Sequence, residues 1–266
     1  MAARQVPALE VHGLVARYGE RTILDGVDLT VQPGEVRVVL GGSGCGKSTL
    51  LKHCIGLLTP TAGSVQLLGA DLLAVEGPAR DRLLTRIGVL FQNGALLGSL
   101  TIGENVALPL QEHGDLPPEI IREVVRLKLA LVEMEHAEHL LPSELSGGMR
   151  KRAALARAMA LDPQIIFCDE PSAGLDPLTS AELDALLLRL KDRFGMAVVV
   201  VTHELPSIRA IADRVIMLSA GRVLANGTLQ EVMTVEHPEI RAFFGRIAAG
   251  EMRRERSALE LLEEGR

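Results

Sequence analysis

Apolar residues along this chain fall into two rhythms. Four runs are short, rich in valine and isoleucine, and stop abruptly at glycine, amide, acid or histidine side chains: Val36 to Leu40, Arg86 to Phe91, Ile165 to Cys168 and Met196 to Val201. Runs of that length and composition predict buried strands. Ala8 to Val15, Val27 to Val31 and Ser64 to Leu68 predict three more, and Val215 to Leu218 with Arg222 to Ala225 a hairpin turning at Ala220-Gly221. Elsewhere apolar positions recur every three to four residues, as in Leu50, Leu51, Cys54, Ile55 and Leu58, in Ala153, Ala154, Leu155, Ala158 and Met159, and in Leu178 to Leu190. That spacing predicts helices. Between Asn93 and Leu140 helical patterning replaces strands: Pro117-Pro118 opens a segment with Ile120, Ile121, Val124, Val125 and Leu131 on one side and Glu119, Arg122, Glu123 and Arg126 on the other. The segment reads as an inserted helical subdomain ending at Pro142. Strands alternating with helices argue for an α/β class, and in a parallel α/β sheet the ligand crevice lies at the carboxyl ends of the strands.

What stands at those ends is chemically loaded. After Leu40 comes Gly41-Gly42-Ser43-Gly44-Cys45-Gly46-Lys47-Ser48-Thr49, a complete Gly-x-x-x-x-Gly-Lys-Ser pattern between a strand and a helix. Glycines there let the backbone turn and approach a ligand, so that its amides and the positive end of the helix dipole favour a phosphate. Lys47 adds a full charge toward the β- and γ-phosphates, and the Ser48 hydroxyl is placed to ligate Mg²⁺. Ile165 to Glu170 delivers two carboxylates at a strand end, with Asp169 expected near the metal and Glu170 where an attacking water would sit. His203 falls on the same sheet edge, and Gln92 ends another strand. Ser146, Gly147 and Gly148 open a helix and offer a second set of free amides. Either that is an ordinary capped helix start, or it completes a nucleotide site belonging to another copy of the chain. Tyr18 either lies flat on an aromatic ligand or is a half-buried strand-end residue.

Composition narrows the function classes. With 266 residues, 47% hydrophobic, the chain can bury one sizeable core. A net charge of -6, one Tyr, five Phe and no Trp supply neither a basic surface nor stacking material, so nucleic acid is not an expected partner. No apolar run of about twenty residues and no signal-like N-terminus appear, so the chain is expected in the cytoplasm. Cys45, Cys54 and Cys168 form no Cys-x-x-Cys pair and read as packing residues. His136 and His139, among Glu133, Glu135 and Glu138, read as a solvated face of a helix rather than a metal site.

These motifs resemble the nucleotide-binding subunit of an ATP-binding cassette (ABC) transporter, from about Leu9 to Thr228. The resemblance implies a P-loop NTPase cassette with an N-terminal antiparallel β subdomain, a RecA-like α/β core and an α-helical subdomain inserted over about 93–160. It divides the chain into an ATPase domain, 1–235, and a C-terminal helical tail, 236–266. It implies that Tyr18 stacks on adenine, that Gly41 to Thr49 is the Walker A loop, that Gln92 senses Mg²⁺ and the membrane partner, and that Leu145 to Met149 is the signature. Ile165 to Glu170 would be Walker B, Ala173 to Asp176 the D-loop and His203 the switch histidine. It further implies a head-to-tail homodimer in which Ser146 and Gly148 of one copy close over the ATP held by Lys47 of the other.

A narrower resemblance lies in Phe91-Gln92-Asn93-Gly94-Ala95-Leu96-Leu97, Glu104-Asn105-Val106-Ala107-Leu108-Pro109-Leu110 and Leu145 to Arg152, with similar stretches at Pro238 to Phe244 and Ile247 to Gly250. These are similar to the ATPase of Mla-type phospholipid transporters. That implies a permease dimer, an MCE-class lipid-binding protein, a small cytoplasmic accessory subunit and a place at the cytoplasmic face of the inner membrane. Met149 stands where the broader family has glutamine, and Leu97 where phenylalanine is commoner. Amino-acid or metal importers share every catalytic residue, and soluble cassettes acting on ribosomes or DNA are the remaining alternative. In the tail, Phe243, Phe244 and Ile247 cluster on one side of a helix, and Glu251 to Gly265 is densely charged.

Overall fold

The computed structural model describes residues 6–245. An antiparallel hairpin comes first, β1 (Leu9–Tyr18) with β2 (Arg21–Val31). Its alternation slips at Gly13, whose φ of 53° accompanies a register shift between Val11 and Leu14, so that Leu9, Val11, Leu14 and Ala16 all reach the core. β2 starts six residues earlier than its apolar stretch predicts. Arg21, Thr22 and Leu24 pair with Tyr18, Arg17 and Ala16, a ladder held by backbone bonds that polar side chains do not betray.

β3 (Val36–Gly41), α1 (Lys47–Cys54), β4 (Ala62–Leu67), β5 (Ala70–Asp71), α2 (Gly77–Leu84) and β6 (Ile87–Leu90) follow. Then come three longer helices, α3 (Ile102–His113), α4 (Pro118–Leu131) and α5 (Gly147–Ala158). β7 (Ile165–Asp169), α6 (Pro177–Phe194), β8 (Ala197–Val201), α7 (Leu205–Ile211), β9 (Arg214–Ser219), β10 (Arg222–Gly227) and α8 (Leu229–Thr234) complete the order. Among the described residues the strands make two sheets, an antiparallel one ordered β2-β1-β4-β5 and a second ordered β10-β9-β3-β8-β7-β6. In the second sheet all neighbours are parallel except β10.

Strand alternation splits the apolar residues between two cores. Val36, Val38, Leu40, Ile166, Cys168, Val198 and Val200 pack toward α3, α4, α5 and α6. Val39, Ile165, Phe167, Val199 and Val201 pack toward α1 and the antiparallel sheet. Arg37 interrupts the second set yet is only 4% exposed. It donates to Asn226 Oδ1 at 2.7 Å and Thr30 O at 2.8 Å and lies 2.7 Å from Glu35, bridging the two sheets.

Several expectations shift. Ile120 does not join the buried stripe of α4; it is exposed, while Ile121, Val125 and Leu129 are buried. His136 lies in a 3₁₀ turn, Glu135–Ala137, and His139 beyond it; both are exposed. Residues 238–245 are helical, and Ile240 and Phe244 are buried in the first of the two cores, with Phe243 edge-on to Phe244 at 5.3 Å. Ile247 and Glu251 to Arg266 lie outside the described residues. Cys45, Cys54 and Cys168 are buried and free, and burial pushes the thiols of Cys54 and Cys168 up to about 12.

Candidate active site

Because β6, β7, β8 and β3 run parallel side by side, Gln92, Asp169 with Glu170, His203 and the glycine loop all emerge at one sheet edge. Gly41 ends β3 at φ 146°, and a Cβ there would strike the Leu218 carbonyl and sit 2.5 Å from Cys45 Sγ. Gly46, at φ 109°, would place a Cβ 2.6 Å from Leu24 Cδ2. Both positions therefore require glycine. The loop between them leaves Gly42, Ser43 and Gly44 exposed.

α1 opens at Lys47 with no side-chain cap, so the first-turn amides of Lys47, Ser48 and Thr49 are free for an anion. Lys47 Nζ folds back over the loop, donating to the carbonyls of Gly41 at 2.9 Å and Gly42 at 3.0 Å. Those neutral acceptors leave its charge available to a phosphate.

The acids differ sharply. Burial lifts Asp169 above the usual carboxylate range, and the neighbouring Glu170 lifts it further, while Ser48, Lys47 and Lys52 pull it back. A half-buried acid beside a second acid and a serine hydroxyl suits a hard cation. Glu170 sits just beyond β7 with φ 47°, a left-handed conformation uncommon for a non-glycine residue. Its N–H donates to Val201 O at 2.8 Å. One carboxylate oxygen, Oε1, lies 2.8 Å from His203 Nδ1; the other, Oε2, is buried with no hydrogen-bond partner. A buried acceptor left unsatisfied is costly unless a donor reaches it, and a water molecule is such a donor.

Tyr18 ends β1 at the tip of the hairpin whose second strand reaches Gly46, and it is 55% exposed. Gln92 is exposed just past β6. Ser146 caps α5, its Oγ accepting from Met149 N at 3.2 Å, and is exposed beside Gly147 and Gly148. Among the described residues no hydrogen bond joins 146–148 to 41–49, so the chain does not bring its own two phosphate-type loops together this way. Asp176 caps α6. Hydrogen bonds from Thr179, side chain first and then backbone, hold its carboxyl below the usual range.

Sequence reasoning missed Lys151. It lies on the buried face of α5, 6% exposed, and donates to the carbonyls of Gln92 and Glu170. Its signal was a cation on the stripe shared with Ala154, Leu155 and Ala158. Asp184 was missed too. It is buried on α6 and accepts a hydrogen bond from Ser207 of α7.

Comparison with known proteins agrees with this geometry. The family profile described as ABC transporter matches residues 24–173. The chain is 41% identical over 259 residues to a probable ribonucleotide transport ATP-binding protein, mkl, of Mycobacterium tuberculosis, covering 97% of this chain and 72% of that protein. It is 36% identical over 256 residues to the intermembrane phospholipid transport system ATP-binding protein MlaF of Haemophilus influenzae, covering 96% of this chain and 97% of the relative. Identity to the Escherichia coli K12 MlaF is 40% over 235 residues, 87% of this chain and 86% of that one. Among solved structures, cbiO1 from Clostridium perfringens, part of the ABC transporter complex cbiONQ, superposes with a TM-score of 0.79 at 27% identity over 93% of this chain and all of that one. The dimeric bacterial ABC transporter cassette MJ0796 superposes with a TM-score of 0.76 at 33% identity over 83% and 98% of the two chains. With its phosphate loop, its paired acids and this breadth of similarity, the chain belongs to the ABC transporter family as an ATP-hydrolysing cassette.

Proposed function

We propose that this cassette powers phospholipid transport between inner and outer membrane, working as a homodimer beneath a permease dimer at the cytoplasmic face of the inner membrane, with an MCE-class lipid-binding protein and a small cytoplasmic accessory subunit. The observation that carries this reading is a juxtaposition. The segments Phe91 to Leu97 and Glu104 to Leu110, which set the subgroup apart, are joined through one buried side chain. Asn105 accepts from Leu97 N at 2.8 Å and donates to the carbonyls of Leu97, Leu100 and Thr101. It fixes the stretch just after Gln92 and leaves Leu97 exposed for a partner. The end-to-end match to the Haemophilus influenzae MlaF supports the same reading. Among the described residues no helix is long and apolar enough to cross a membrane, which fits attachment through a permease.

In the catalytic cycle we infer, the amides of Gly42 to Thr49 and Lys47 hold the β- and γ-phosphates, and Tyr18 lies against the adenine. His203 occupies Glu170 Oε1, which leaves Oε2 to accept a proton from water as its oxygen attacks the γ-phosphorus. The bond to the β-phosphate oxygen breaks, giving ADP and phosphate. Ser48, Asp169 and Gln92 would hold Mg²⁺, which neutralises charge on the phosphate oxygens. Ser146, Gly147 and Gly148 close over the nucleotide of the second copy, with Asp176 at that seam.

A second reading, ribonucleotide transport, is favoured by the name of the mycobacterial relative at 41% identity. One experiment separates them. The cassette is purified from detergent extracts with its native partners, the partners and bound lipid are identified by mass spectrometry, and ATPase stimulation is measured with phospholipid and with ribonucleotides. Phospholipid and an MCE-class protein in the complex are expected; a complex lacking both and stimulated by ribonucleotides overturns the proposal.

A further inference from the structure

The left-handed backbone of Glu170 is held on both sides, its N–H by Val201 O of β8 and its C=O by Lys151 Nζ at 3.1 Å and by the Ala173 N–H at 3.2 Å. The same ammonium donates to the carbonyl of Gln92. It lies between two strand ends, after β6 and after β7, and its own helix α5 begins with Ser146, Gly147 and Gly148. A second cation of α5 extends this hold. Arg157 donates to Ala95 O at 2.6 Å and Gly94 O at 2.8 Å, and Gly94, at φ 73°, lies so close that a Cβ would sit 3.4 Å from that of Ala154. The backbone from Gln92 to Ala95 therefore rests on α5 through three carbonyls.

We propose that Lys151 is a positioning residue for ATP hydrolysis: one buried ammonium fixes the main chain of Gln92 and of Glu170 relative to each other and to α5. Burial disfavours the charged form and lowers the pKa of the ammonium, while the nearby Glu170 and Asp169 oppose that shift. A neutral side chain of similar length would fill the space, but it would leave the Gln92 carbonyl without the ammonium and the Glu170 carbonyl with only the Ala173 N–H, at 3.2 Å, which loosens the hold on Glu170. Oε2 would then no longer face the water. The phosphate loop shares no hydrogen bond with Lys151, so the loss falls on turnover far more than on nucleotide affinity. The inference rests on the reading of Glu170 as the group that receives the proton.

The test is a double-mutant cycle on the purified, nucleotide-competent protein, with kcat, KM for ATP and Tm measured throughout. Lys151→Met is expected to lower kcat roughly 10- to 100-fold while KM stays within about threefold. Lys151→Arg, which restores donors to both carbonyls, should recover most of that loss. In a Glu170→Gln background Lys151→Met should cost little more, because both changes act on the same group. A Lys151→Met enzyme with normal kcat overturns the proposal, as does one whose kcat loss multiplies with that of Glu170→Gln. Loss of turnover that arginine does not rescue also overturns it. Should Lys151→Met not fold, Lys151→Leu, which likewise has no donor, takes its place in the same cycle. Normal turnover in Glu170→Gln alone would instead sink the reading of Glu170 and leave the clamp a structural feature.

Discussion

Replacing Glu170 by glutamine changes two atoms in opposite ways. Oε1 accepts from His203 at 2.8 Å, and the amide oxygen of glutamine can take that place. The amide nitrogen then falls where Oε2 now sits buried and unpartnered. An acceptor becomes a donor, so a water there loses the group that would take its proton. General-base contributions of this kind are roughly 10² to 10⁴ in rate, which at about 1.36 kcal/mol per decade is about 3–5.5 kcal/mol of barrier. Two quantities should stay put. Neither side chain touches residues 41–49 by a hydrogen bond, so ATP affinity is preserved. One unpartnered buried polar atom replaces another and a partly buried charge is removed, so the Tm of Glu170→Gln should stay close to that of the wild type. Single-turnover phosphate release and calorimetric ATP binding on the same preparation decide the matter. Turnover within tenfold of wild type, or affinity falling in step with turnover, would refute the reasoning.

Two further outcomes follow from the site and its surroundings. If each nucleotide is shared between copies, subunits carrying Ser146→Arg mixed with subunits carrying Lys47→Ala should form heterodimers with one intact composite site. Phosphate release should then exceed that of either variant alone, and a mixture no more active than its components counts against sharing. Asp184 makes stability depend on pH: burial first, then Glu204, push its carboxyl from 3.8 to about 6 against the pull of Ser207. The folded state therefore holds this proton more tightly than the unfolded one, and the stability it contributes is full below about 3.8 and lost as pH rises through about 6. Asp184→Asn should remove that dependence, on the order of 2–3 kcal/mol, and should be relatively most stabilising above pH 6; parallel melting curves across the window would contradict it.

Residues whose role depends on neighbours in sequence were legible before any coordinates. The phosphate loop, the acids at the end of β7 and the histidine after β8 are local patterns, and a parallel sheet places strand ends together without further information. What escaped the sequence depends on long-range pairing. Lys151 finds its acceptors 59 and 19 residues away, so its hold on Gln92 and Glu170 has no local signature beyond a charge on an apolar stripe. The start of β2 was hidden for a related reason, since backbone bonds to β1 carry Arg21 and Thr22 into the sheet despite their side chains. Ile120 and His136 went astray through helical phase: the first faces solvent on α4, and the second belongs to a 3₁₀ turn too short for periodicity to report.

Tyr18, exposed at the tip of the hairpin whose second strand meets Gly46, gives the molecule an unusual optical property. It is the sole tyrosine in a chain with no tryptophan. Near-ultraviolet emission and its quenching therefore come almost wholly from one ring at one known place, and a nucleotide base stacked on that ring would change the signal of the whole protein. The unmodified cassette carries its own single-site probe of occupancy. For the same reason, absorbance at 280 nm is a poor measure of its concentration, because bound or carried-over nucleotide outweighs the protein's own contribution.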